Sequence, residues 1–186
     1  MGYINITNIK FEGNNEKITQ DFVLEINLES LKEINKEISW KCIFISDPDQ
    51  DSNDQVLDEI VMNSLSYGKN NFEWAISPPD YSKLVNPFDI FDTSLLMIVV
   101  YIENQAFFRC SYLLSHEYDS EELKDSPPEK IEWDHIIRKI KTDNPIISIC
   151  DINWDSLFNT EGNTLLIDNI EDHRFQNFDI LSGNQL

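Results

Sequence analysis

The chain is short of glycine, histidine, cysteine and positive charge, and each shortage removes a class of chemistry. Five glycines in 186 residues leave nothing from which to build a phosphate cradle, which needs several backbone positions free of a Cβ. The three histidines, His116, His135 and His173, stand far apart with no Cys, Asp or His at zinc-ligand spacing. No metal and no cofactor are therefore expected. Cys42, Cys110 and Cys150 are scattered singly through strand-like stretches, which reads as buried thiols in a reducing compartment rather than a disulfide framework. No serine sits in a nucleophile elbow, and carboxylate pairs such as Asp47/Asp49 or Glu121/Glu122 arise by chance among 34 acids. The expectation is a protein that is not an enzyme. No apolar run reaches the roughly 20 residues of a membrane span, and the opening MGYINITNIKFEGNNEK lacks the layout of a signal peptide. Ile6 stands where a myristoylation motif wants Ser or Thr. A soluble, intracellular protein without membrane contact follows as the expectation.

What is plentiful is negative charge. Thirty-four Asp and Glu against 14 Lys and Arg give a formal net charge of -20, a field that repels nucleic acid phosphates and anionic lipid. Direct nucleic acid binding is excluded on this reading, and a basic protein is the natural partner. The plainer use of such a charge is solubility. After Trp154 the apolar pattern lapses, so residues 1–154 read as one domain and 155–186 as a flexible, polar, mildly acidic tail. From Ser156 on, the acids Glu161, Asp168, Glu171, Asp172 and Asp179 are opposed by Arg174, so most of the charge belongs to the domain.

Phe22, Leu24, Ile26 and Leu28 alternate with Val23, Glu25, Asn27 and Glu29, the period of a half-buried strand. Further strands are expected at Ile4–Glu12, Ser39–Ser46, Val56–Ser64, Asn71–Ile76, Thr93–Ile102, Ala106–Ser115 and Ile146–Asn153. Turn residues separate them, among them Gly13-Asn14-Asn15, Tyr67-Gly68-Lys69-Asn70, Pro78-Pro79-Asp80 and Glu103-Asn104. Short strands joined by turns predict an all-β sandwich with short connecting helices rather than βαβ units. Two such helices are expected. One is capped by Asp119 with Glu122 and runs through Lys124 to Pro127-Pro128. The other covers Trp133–Lys141, where Trp133, Ile136, Ile137 and Ile140 fall at helical spacing before Asn144-Pro145.

Thr93 to Ile102 carries no charged side chain, so this strand is apolar on both faces and needs a cover on both. Leu95, Met97 and Val99 point one way and Leu96, Ile98 and Val100 the other. Pairing through the Glu103-Asn104 turn sets Phe107, Arg109, Ser111 and Leu113 on one side of the next strand. Arginine avoids a core, so the Arg109 side is the expected surface. The result is an apolar stripe with Arg109 in it and acids around it, suited to an amphipathic basic helix. The alternative is that the tail or a helix of the same chain covers the stripe.

Trp40-Lys41, Asp54-Gln55-Val56-Leu57-Asp58, Phe107-Phe108-Arg109, Glu117-Tyr118, Glu122-Leu123, Pro127-Pro128, Asn144-Pro145 and Ile152-Asn153-Trp154 occur in an order and spacing that resembles the anti-silencing function histone chaperone family over about residues 1–154. The resemblance implies an elongated immunoglobulin-like β-sandwich that binds a dimer of histones three and four, blocks tetramer formation and hands histones on in nucleosome assembly and disassembly. It also implies a nuclear location and a monomer. Matched by position, Asp54, Asp89, Leu95 and Arg109 take the family's contacts with the helices of histone three. Tyr112 and Pro145, with Ile147, take the pocket and strand edge that receive the C-terminal segment of histone four, and Leu113 is a further histone-binding position. A second site, for other histone chaperones, is implied at Lys36, Glu37, Asp58, Met62 and Phe72. The family carries an acid where Lys36 stands, a second aromatic where Leu113 stands and a basic residue where Ile146 stands. The rival reading is an immunoglobulin-like adaptor module that binds some peptide and has no histone role.

Overall fold

The computed structural model describes residues 2–48 and 53–158. The alternation of Phe22 to Leu28 becomes β3 (Phe22–Ser30), whose even-numbered side chains are all buried. It is flanked antiparallel by β1 (Ile4–Glu12) and β6 (Gly68–Ile76) in a three-stranded sheet. The second sheet contains β2 (Asn15–Lys17), β4 (Ile38–Ile45), β5 (Gln55–Met62), β7 (Ser94–Ile102), β8 (Gln105–Tyr118) and β9 (Ile136–Ile149), in the order β2-β9-β8-β7-β4-β5. Between the layers, Leu24, Ile26 and Trp74 meet Trp40, Phe44, Leu96, Ile98, Val100 and Leu114 in one continuous core. Burying such rows on facing sheets is the main driving force of the fold. The all-β sandwich expected from the sequence is what forms, with the short helix α1 (Glu121–Asp125) between β8 and β9 and a second, α2 (Trp154–Phe158), after β9.

Glu103 and Asn104 adopt φ of 47° and 66°, the left-handed pair a two-residue hairpin needs to follow strand twist. Continued without a break, that turn would set Ile98 opposite Arg109; a bulge between Val100 and Tyr101 shifts the register by one residue and sets Leu95 opposite Leu113 and Val99 opposite Arg109. Helix α1 starts one residue later than expected: the Ser120 hydroxyl accepts from the Leu123 N–H at 3.3 Å. Asp119 is taken instead by Lys17 at 2.8 Å and His135 at 3.1 Å. Cys42 and Cys110 are buried as expected, whereas Cys150 is half-buried. The tail expected from residue 155 lies, from residue 159 on, outside the described residues.

The helix expected at Trp133–Lys141 does not form. Trp133–His135 is a single 3-10 turn, and β9 runs unbroken from Ile136 to Ile149, which also absorbs the separate strand expected at Ile146–Asn153. Ile136, Arg138 and Ile140 are buried in alternation with the less buried Ile137 and Lys139. Three β-branched residues and a free edge on β8 outweigh a helical spacing that four residues happened to satisfy. Asn144-Pro145 does not end the strand either. Between Ser111 and Leu113 the register with β8 jumps, so residues 142–145 bow away from it. Proline is tolerated there because no ladder bond is asked of it.

The alternation that builds β9 places a guanidinium in the core. Arg138 is 2% exposed, and its two terminal nitrogens donate to the carbonyls of Gln20 and Asp21 at 2.9 and 3.1 Å. Its guanidinium carbon lies 3.6 Å over the Phe22 ring. Nearby, the Tyr81 hydroxyl pairs with His116 Nε2 at 3.0 Å, and both groups are buried. Burial first, and the Arg138 charge in addition, lower the His116 imidazole from 6.5 to about 4. The unfolded chain therefore binds a proton that the folded chain refuses across that interval. Stability is full above pH 6.5 and falls as pH drops toward 4, by about 3 kcal/mol from this group. Urea unfolding of the protein and of His116→Gln at stepped pH checks this: the variant loses that share of the acid sensitivity.

Candidate binding surfaces

The outer face of the large sheet carries the stripe the sequence called for. On β7, Leu96, Ile98 and Val100 are wholly buried, while Leu95 and Met97 on the opposite parity are only half-buried. Across the ladders, Leu95 stands between Ile45 and Leu113, and Met97 between Ile43 and Ser111. Val99 stands between Lys41 and Arg109 and is 2% exposed; the aliphatic stems of those two long side chains, on the same face, are the groups placed to cover it. Leu113 is 37% exposed. So Leu95, Arg109 and Leu113 come together on one face.

Asp54 and Asp89 are set by the turns near this sheet. Asp54 directly precedes β5 and lines a hollow of about 390 Å³ with Asn53, Gln55, Val56 and Lys83. The Gln55 amide exchanges two bonds with the Asp80 backbone, at 3.0 and 2.9 Å, and so ties the start of β5 to the 80s loop. Asp80 caps the turn Tyr81–Lys83, and the Ser82 hydroxyl and N–H hold its carboxyl below the usual range. Asp89 lies in the turn Pro87–Phe91, whose cap Asn86 donates to its Oδ1 at 2.9 Å. Asp54 and Asp89 are both half-buried, and the Asn86 bond orients the Asp89 carboxylate before any partner arrives.

Tyr112 belongs to a different surface. It faces the gap between the sheets, 3% exposed, with its ring 4.8 Å from Phe11 in a T-shaped pair. Burial and the Cys110 thiol push its phenol up, so it stays neutral. Where β9 bows away, a groove of about 210 Å³ opens, and Tyr112, Pro145 and Ile147 line it together with Ile6, Cys110 and Phe108. Sequence reasoning missed its β1 wall, Ile6 to Ile9. The signal was present: apolar residues fall at 4 and 6, then at 9 and 11, and that slip of phase is the bulge between Ile6 and Asn8. Beside the groove, β2 pairs only with Ile137 to Lys139. Among the described residues this leaves the C-terminal half of β9 an open edge, with Ile146, Ile147 and Ile149 exposed, the last to 80%.

The residues of the expected second site gather near β5, the other edge of the large sheet. Lys36 Nζ lies 4.0 Å from the Glu103 carboxylate; the Glu37 N–H donates to Glu103 Oε1 at 3.2 Å and the Glu37 carbonyl accepts from the Glu103 N–H at 3.0 Å. Asp58 accepts from the buried Trp74 indole at 2.7 Å. Met62 pairs with Ile38, and Phe72 packs edge-on against Trp40 at 5.2 Å. Lys36 therefore meets an acid of its own chain, and Asp58 and Phe72 also hold the fold.

A sandwich with an apolar outer stripe, fixed acids beside it and an unpaired strand edge next to an aromatic-floored groove is a protein that works by docking other chains. A family model described as ASF1 like histone chaperone matches residues 1–155, and the chain belongs to that family. It is 28% identical to the histone chaperone asf1 of Dictyostelium discoideum over 155 residues, covering 83% of this chain and 100% of that protein. The histone chaperone ASF1 of Saccharomyces cerevisiae is 28% identical over 156 residues, covering 84% of this chain and 56% of that one. The match to the Drosophila melanogaster protein is 28% over 155 residues, covering 83% and 71%. The chain thus spans one relative entirely and little more than half of the yeast one. It is a histone chaperone by family, with the role in chromatin and nucleosome assembly that this class implies.

Proposed function

We propose that the protein captures one dimer of histones three and four, blocks its pairing into a tetramer, and passes it on in nuclear nucleosome assembly and disassembly. The observation that carries this reading is the half-open stripe of Leu95, Met97 and Leu113 with Arg109 within it, on an acidic chain of the histone chaperone family. Leu95 is the apolar anchor for histone three. Asp54 and Asp89 accept from its basic side chains, and Arg109 donates to an acid on it. The tail of histone four adds as a strand along Ile146–Ile149 and sends a side chain over Tyr112, between Pro145 and Ile147. Opposite signs of charge speed the encounter, and the apolar contacts hold it. Other histone chaperones dock at Lys36, Glu37, Asp58, Met62 and Phe72, with the local charge altered by Lys36.

Size exclusion of the chain mixed with the histone dimer in about 0.5 M salt tests this, because the Debye length there is under ~5 Å and loose charge attraction is screened. The expected result is a stable complex of one chain with one dimer. Separate elution of chain and histones would reduce the reading to polyanion attraction.

A further inference from the structure

Lys32 is out of keeping with the chain around it. In a protein with 34 acids, its ammonium rests on two aromatic faces, 3.7 Å from the Tyr3 ring centre and 3.4 Å from that of Phe158. The two rings stand 5.4 Å apart at 81° and form two walls of a cage. Tyr3 enters at the head of β1 and Phe158 ends α2, so one side chain from the turn after β3 bridges the two ends of the described domain.

The surrounding contacts make this corner a unit. The Tyr3 hydroxyl donates to Asp155 at 2.8 Å, and its carbonyl accepts from the Leu31 N–H at 2.9 Å. Trp154 packs edge-on against Tyr3 at 5.8 Å and against Phe107 at 5.2 Å. Gly2 lies so close to that indole that a Cβ on it would sit 3.3 Å away. Beneath the lid, Phe107 and Leu157 are buried. Helix α2 has only five residues, too few to hold its shape unaided. Its docking depends on this corner, and the Lys32 charge is at the centre of it.

We propose that Lys32 is a regulatory modification site, a charge-dependent latch that keeps α2 docked while its ammonium is positive and frees it when the nitrogen is acylated. The co-reactant is an acyl-CoA thioester, delivered by a protein acyltransferase. The ammonium first gives one proton to a base of the acyltransferase; the neutral amine then attacks the thioester carbonyl, the new C–N bond replaces the C–S bond, and the nitrogen's displaced proton goes to the departing CoA thiolate, which leaves as the thiol. The product amide has no charge for the ring quadrupoles to attract. Methylation keeps the charge and keeps the latch. Lys32 is half-exposed, so a transient opening presents Nζ to an enzyme. This inference does not depend on histone binding.

The test is amide hydrogen exchange over residues 154–158 in four forms of the full chain: unmodified, acetyl-lysine installed at position 32, Lys32→Gln and Lys32→Arg. With the ammonium gone from both ring faces at once, exchange should speed up about tenfold in the acetylated and Gln forms, while the Arg form stays within about twofold of the unmodified chain. Exchange in the acetylated and Gln forms that stays within about twofold of the unmodified chain overturns the proposal. So does an equal acceleration in the Arg form, because the effect would then come from lysine packing and not from charge.

Discussion

On the proposed function, Leu95→Arg is expected to weaken the complex with the histone dimer by at least about a hundredfold and to leave the sandwich folded. An arginine at the centre of an apolar contact forfeits the anchor's burial and brings a strongly hydrated cation against a basic partner, and losses of about 2 to 4 kcal/mol or more are ordinary for such central residues. The fold survives because Leu95 lies on the outward parity of β7, half-buried, with room for a long side chain to reach water. Leu96→Arg, one residue on, points into the wholly buried row and should not fold. Size exclusion in about 0.5 M salt, with circular dichroism of both variants, checks the pair. A Leu95→Arg chain that still carries histones places the contact elsewhere on the molecule.

Arg138→Ala lowers stability by about 3 kcal/mol, which for a domain of this size moves the thermal midpoint by roughly 10 °C. The guanidinium does three things at once: it donates to two backbone carbonyls ahead of β3, lies on Phe22, and fills space beside Tyr81 and His116. Alanine leaves a hole and two acceptors without a donor. Arg138→Lys recovers only part, since one ammonium cannot reproduce the two-pronged geometry. Replacing Arg138 by alanine also relaxes the acid sensitivity of His116, because a positive charge that opposes its protonation is gone. Thermal melts at pH 7 and pH 5 separate the two effects.

Arg138 also shows where sequence reading fails. A lone arginine among isoleucines at helical spacing looks like the solvated side of a helix, and nothing local announces that two carbonyls 117 and 118 positions away will receive it. The β7–β8 hairpin was legible for the opposite reason. Its turn residues and the alternation of each strand are set within a single hairpin, and an arginine's avoidance of the core marked the outward side of β8; the bulge between Val100 and Tyr101, which brings Arg109 opposite Val99, left no mark in the pattern. The groove lies between these cases. Tyr112, Pro145 and Ile147 follow from family resemblance, yet the cavity exists because two strands far apart in the chain slip out of register, β1 at Ile6 and β9 at 142–145. The first slip leaves a mark in the apolar pattern. The second is hidden by Asn144-Pro145, which reads as a stop. The second-site residues likewise follow from resemblance, and only the folded chain reveals that Asp58 is bound by Trp74 and Lys36 faced by Glu103.

The large sheet has two raw hems, one along β5 and one along the last residues of β9. Either could stitch to the other on a neighbouring copy and run on into a fibre. Among the described residues no further strand pairs with either hem, and three exposed isoleucines lie along one of them. Like molecules carrying a formal charge of -20 hold one another off before their hems can meet, while an oppositely charged guest is drawn in. The surplus of carboxylates thus lets the sheet keep unfinished borders for its clients without weaving itself into cloth.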